Sequence, residues 1–156
     1  MAIRFASKFG CEVTAFSTSA HKEEEVKKMG AHHFIKSDDP KQLRKVKSSF
    51  DFIISTVFSN LEWSSYLKAL RLDGTLCLVG ATSTPLSIPV TELMSARRRV
   101  TSSMIGSPQE IRTMLEFASR HQIEAVTETL PLDQANTAIE KVRKNDVRYR
   151  MVLKMG

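Results

Sequence analysis

The sequence predicts an α/β fold of the doubly wound kind, built on a mostly parallel sheet. Three observations lead there. Runs such as "FDFIISTV" (50–57) and "TLCLVGA" (75–81) are continuously apolar, as strands buried on both faces are. Between the strand signals lie segments with helical starts and stops. The two kinds alternate along the chain, which implies right-handed crossovers between parallel strands.

The elements follow in order. "MAIRFASKFG" places Ile3, Ala6 and Phe9 on one helical face, with Gly10 where a left-handed C-terminal cap belongs. "CEVTAFS" (11–17) reads as a strand, then a helix over 21–29 stops at Gly30, and "HHFIKS" (32–37) is the next strand. Asp38 or Asp39 caps a helix with Pro40 in its first turn. After strand 50–57, "NLEWSSYLKALRLDG" sets Leu61, Leu67 and Leu70 near one face before a turn at Asp73 and Gly74. Strands 75–81 and 99–106 follow. Ser107, Pro108 and Glu110 then form a capping box with proline in place. Past residue 125 come "VTETLPL", a helix over 133–144 and a terminal strand in "VRYRMVLKM".

The chain has 156 residues, 42% hydrophobic and 26% charged, enough for one domain with a real core. Its net charge of +6, from 23 basic and 17 acidic residues, is spread along the chain and so selects no polyanionic partner. Cys11 and Cys77 sit in apolar runs where thiols act as small hydrophobes, which points to a reducing, cytoplasmic setting. No run approaches the roughly 18 apolar residues of a membrane span, and no signal peptide opens the chain. A soluble protein without membrane contact is expected.

In doubly wound sheets ligands bind beyond the carboxyl ends of the strands. Strand 11–17 ends in Ser17, Thr18 and Ser19, with Lys22 just behind. A carboxylate at such a position accepts hydrogen bonds from the ribose hydroxyls of a dinucleotide but repels a 2′-phosphate. Hydroxyls donate to that phosphate, and a lysine adds a full charge. The alternative is a loop with a helix cap, in which Glu23, Glu24 and Glu25 complement the helix dipole. Those glutamates oppose a phosphate site unless they face away from it.

The stretches "MAIRFASKFGCEVTAFSTSAHKEEEVKKMGA", "DFIISTV", "LRLDGTLCLVGA", "SSMIGS" and "NDVRYRMVLK" resemble, in order and spacing, the coenzyme-binding half of zinc-dependent medium-chain alcohol dehydrogenases, most of all the cinnamyl alcohol dehydrogenase group. The resemblance implies NADP(H) as coenzyme, with its 2′-phosphate on Ser17, Thr18, Ser19 and Lys22. It further implies that Thr56 and Val57 line the adenosine side, with Ser55 where an acidic residue often stands. Val79, Gly80 and Ala81 match the turn at the nicotinamide ribose, and Ser103 and Ile105 the backbone beside the carboxamide. As apolar residues, Val57, Val79 and Ile105 would equally suit the core of any α/β sheet.

The same resemblance places a first strand and a GxGGxGH turn immediately before Met1, and no GxGxxG occurs in the sequence. The Rossmann-like sheet is thus expected to be truncated at its N-terminal side and without the turn that receives a pyrophosphate. In the strand order 3-2-1-4-5-6 that first strand separates strand 11–17 from strand 50–57. Either those edges close on each other, or another chain fills the gap, or the fragment is marginal in stability. Residues 1–130 are expected to be an incomplete NADP-binding domain, and 131–156 a helix and strand that in relatives return to the catalytic domain.

Zinc belongs to the whole family member, but Cys11, Cys77, His21, His32, His33 and His121 show no zinc-site spacing. Adjacent His32 and His33 on a strand point to opposite faces. The arginines at 97–99 suit a helix end better than a nucleic acid, since no aromatic platform accompanies them. "STPLSIPV" (83–90) reads as an extended edge through which relatives dimerise, so a homodimer is expected. Two functions stay open. One is the coenzyme-binding part of an NADP(H)-dependent alcohol dehydrogenase that interconverts primary alcohols and aldehydes, inactive alone. The other is a non-catalytic dimerising or nucleotide-sensing module of the same fold.

Overall fold

Among the described residues every strand pair is parallel. The protein is described here by a computed structural model covering residues 1–156 apart from Ser83, Asn145 and Gly156. Helix α1 (Ala2–Lys8) leads to β1 (Thr14–Ser17), α2 (Glu23–Lys28), β2 (His33–Lys36), α3 (Pro40–Lys45) and β3 (Phe50–Ser55). Next come α4 (Trp63–Ala69), β4 (Leu70–Leu78), α5 (Val90–Met94), β5 (Arg99–Ser102) and α6 (Pro108–Arg120). The chain finishes with β6 (Glu128–Pro131), α7 (Ala135–Arg143) and β7 (Met151–Lys154).

The strands form three sheets, β1-β2, β3-β4-β5 and β6-β7. The edges of β1 and β3 have therefore not closed on each other by backbone pairing. Side chains cross between them instead, with Phe16 edge-on to Phe50 at 5.5 Å and to Tyr66 at 5.6 Å. The principal core lies on this side, around Ile53, Trp63, Tyr66, Leu67, Ala69, Leu70 and Leu76. Leu67, Leu70 and Leu76 are fully enclosed, each worth roughly 1.5–3 kcal/mol of apolar burial. A smaller cluster of Val13, Ala15, Val26 and Ala31 holds α1 and α2 on the first sheet. The opposite face of β3 is open, with Phe52 54% and Ile54 44% exposed. Helix α6 reaches α1 through Phe117, stacked 4.5 Å from Phe9.

Several boundaries shift for local reasons. The first strand starts at Thr14 because the Cys11 N–H closes α1 on the Ala6 carbonyl. Cys11 is thereby exposed outside the strand, contrary to the expectation of a thiol in an apolar strand, while Cys77 is half-buried. Gly10 takes the expected left-handed cap, at φ 81°. Helix α4 stops at Ala69, and β4 has already begun at Leu70. Its ladder skips from Phe50 opposite Leu70 to Phe52 opposite Thr75, which leaves residues 71–74 as a bulge with Arg71 and Leu72 exposed and Gly74 buried. Residues 84–89 form no strand. Pro85 and Pro89 have no N–H to give a ladder, and Leu86 and Ile88 turn onto the core. Where described, the expected extended edge over 83–90 pairs with no strand of its own chain, Pro89 keeping extended backbone, and Ser83 lies outside the described residues.

The arginine run is built into this bulge. Arg97 grips Asp73 with two hydrogen bonds of 3.0 and 2.6 Å, and Arg99 donates to the Asp73 carbonyl at 3.0 Å. The side chain of Arg98 is only 6% exposed. It donates to the carbonyls of Leu70 and Glu92 at 3.1 and 2.9 Å and to Ser95 Oγ at 3.1 Å.

Candidate functional site

At the carboxyl end of β1 the chain turns sharply. The Ser19 N–H donates to Ser17 Oγ at 3.2 Å, so the Ser17 hydroxyl keeps its own proton to give away. Ser19 precedes a 3-10 turn over Ala20–Lys22 but makes no side-chain cap bond, so the capping reading of its hydroxyl does not hold. Thr18 is exposed, as is Lys22, which forms no ion pair among the described residues. The cluster therefore presents hydroxyl donors and one cation, the donor set that fits a phosphate.

The three glutamates behind it differ: Glu24 is exposed and makes no ion pair among the described residues. Glu23 pairs with Lys27 at 2.6 Å one turn along α2. Glu25 lies against the Tyr149 phenol, which burial, then the hydrogen bond to Glu25 and its charge, push up to about 12. Glu24 borders a shallow hollow with Ala20, His21, Glu23 and Lys27. This contact of Glu25 with Tyr149 is invisible in the sequence, because it joins the second helix to the last loop.

The other site residues gather at the end of the central sheet. Ser55, Leu78 and Ser102 stand in one register row, so Thr56, Val79 and Ser103 follow side by side at the carboxyl edge. Val57 is 40%, Val79 43% and Ile105 87% exposed, so none of the three is core. Ala81 is exposed as well. The Ser55 carbonyl accepts from both Val79 and Gly80 N–H, at 2.9 and 3.2 Å, which carries the pairing of β3 and β4 one step past the strands. At Gly80 a Cβ would lie 2.2 Å from the Val57 carbonyl oxygen. Close approach of its own backbone already requires glycine there.

No group of three His, Cys, Asp or Glu side chains among the described residues can hold a metal. The histidines are engaged singly, His32 Nδ1 accepting from Val13 N–H at 2.9 Å and His33 Nε2 meeting Glu12 at 2.8 Å. These residues do not fit a zinc centre. No helix among them is long and apolar enough to cross a membrane.

Comparison with known proteins decides the family. The model of the zinc-binding dehydrogenases matches residues 1–120. The chain belongs to the zinc-binding dehydrogenase family. An aldehyde reductase of Synechocystis sp. is 41% identical over 153 residues, which are 98% of this chain and 46% of that protein. Cinnamyl alcohol dehydrogenase of Sorghum bicolor superimposes with a TM-score of 0.91 at 38% identity, over 98% of this chain and 44% of that one. The Helicobacter pylori enzyme, solved with NADP(H), gives 0.83 at 31% identity over the same shares. The chain thus spans less than half the length of these zinc-binding dehydrogenases, and its α/β fold is theirs.

Proposed function

We propose that the chain is the coenzyme-binding part of an NADP(H)-dependent zinc alcohol dehydrogenase, which passes hydride between the nicotinamide and a primary alcohol or aldehyde. The observation that carries this reading is the strand end with donors and no carboxylate: Ser17, Thr18, Ser19 and Lys22 would hold the 2′-phosphate. Thr56 and Val57 would flank the adenosine, Val79 to Ala81 the nicotinamide ribose, and Ser103 and Ile105 the carboxamide. The NADP(H) complex of the Helicobacter pylori relative supports the coenzyme.

In this reading the pyrophosphate-binding turn and the zinc ligands lie outside residues 1–156, so this stretch alone turns over no alcohol. Residues 1–130 are the coenzyme domain, and 131–156 return to the catalytic domain. The unpaired edges of β1 and β3 receive a parallel strand, and two copies meet along 83–90. The genomic sequence upstream of Met1 tests the reading. A continuous frame encoding GxGGxGH and Cys/His zinc ligands is expected, whereas a stop codon directly upstream would favour a non-catalytic module.

A further inference from the structure

Phe58 lies just past the carboxyl end of β3 and is 75% exposed. It belongs to neither apolar cluster and pairs with no aromatic ring among the described residues, so the ring forgoes roughly 1.5–3 kcal/mol of burial. Its backbone, by contrast, is anchored on both sides. The preceding Val57 carbonyl packs so closely on Gly80 that a Cβ there would lie 2.2 Å from its oxygen. On the far side Asn60 Oδ1 accepts from the indole N–H of Trp63 at 2.8 Å, and Trp63 is only 2% exposed. Phe58 and Ser59 form the bend between these anchors. An anchored loop thus carries a flat apolar ring at the edge where Thr56, Val79 and Ser103 stand side by side.

We propose that Phe58 is a stacking platform for the adenine ring of the coenzyme. This rests on the proposed coenzyme site, in which Thr56 and Val57 flank the adenosine and Phe58 is the next residue along. A purine offers flat π-faces, and an aromatic side chain on an anchored backbone stacks on one of them with little further ordering. Neither Thr56 nor Val57 supplies such a plane. The adenine is common to NADP(H) and NAD(H), so the ring strengthens binding without choosing between them. That choice stays with Ser17, Thr18, Ser19 and Lys22.

The test titrates the chain with 2′,5′-ADP and with 5′-AMP, followed by NMR, and repeats both titrations on Phe58→Ala and Phe58→Tyr. The unaltered chain should bind 2′,5′-ADP the tighter, with nuclear Overhauser effects from the adenine protons to the Phe58 ring. Phe58→Ala should weaken both ligands by the same factor, roughly five- to 150-fold, the effect of removing one aromatic partner from a base. Phe58→Tyr keeps the plane and should bind within about threefold of the unaltered chain. The unfolding midpoint of Phe58→Ala should not fall, because the ring is exposed. Unchanged affinity in Phe58→Ala, a loss confined to 2′,5′-ADP, a loss as large in Phe58→Tyr, a lowered midpoint, or no Overhauser effect to the Phe58 ring overturns the stacking role and leaves the coenzyme site standing. Equal affinity of the unaltered chain for the two ligands, or binding of neither, overturns the coenzyme site and the platform with it.

Discussion

Phe16 of β1 and Phe50 of β3 meet edge-on with ring centroids 5.5 Å apart, although their strands belong to different sheets. Aromatic packing thus spans a place where a doubly wound sheet has backbone pairing. Truncating Phe16 to Ala should cost about 2–3 kcal/mol in urea unfolding, below a fully buried phenylalanine because the ring is only partly buried. A double-mutant cycle with Phe50→Ala should show coupling near 1 kcal/mol. Additive costs would mean that the rings touch without holding the sheets together.

Arg98 should matter more than its neighbours. Replacing it with Met leaves the Leu70 and Glu92 carbonyls without the guanidinium that pairs them. The expected loss is about 2 kcal/mol by denaturant titration. Arg99→Met, made at an exposed side chain, should change little.

Gly80→Ala should be poorly tolerated. The added methyl would lie 2.2 Å from a backbone oxygen, which cannot swing aside as a side chain can. A loss of about 1–3 kcal/mol in thermal or chemical unfolding is expected.

Acid should loosen two named contacts. The Ser107 hydroxyl, then its N–H, hold Glu110 below its ordinary 4.5, and the Arg148 N–H, aided by Lys141, does so for Glu128. Both carboxylates are more acidic folded than unfolded, so their contribution is complete above 4.5 and fades as pH falls through the lower folded values. Unfolding midpoints followed from about pH 6 down to about pH 3 should fall less steeply in Glu110→Gln than in the unaltered chain.

Much of this was legible from the residues. The capping box at Ser107 and Glu110 and the proline-led helix at Asp39 form as the pattern states, because caps are local chemistry. The strands were placed by their apolar runs, but β3 and β5 end early and β4 begins at Leu70, since strand length depends on partners that a single run does not name. β5 stops at Ser102, leaving Ser103 and Ile105 exposed beyond it. The arginine run could not be resolved from sequence, because Arg98 is buried by carbonyls at Leu70 and Glu92 that only the fold brings near.

Coenzyme preference tests the central claim most directly. NADPH and NADH are titrated against the chain by fluorescence, with Lys22→Ala and Ser17→Asp alongside. Tighter binding of NADPH is expected, weakened by Lys22→Ala and reversed by Ser17→Asp, which introduces the carboxylate that repels a 2′-phosphate. Equal affinity for the two coenzymes, or a preference for NADH in the unaltered chain, would contradict the account.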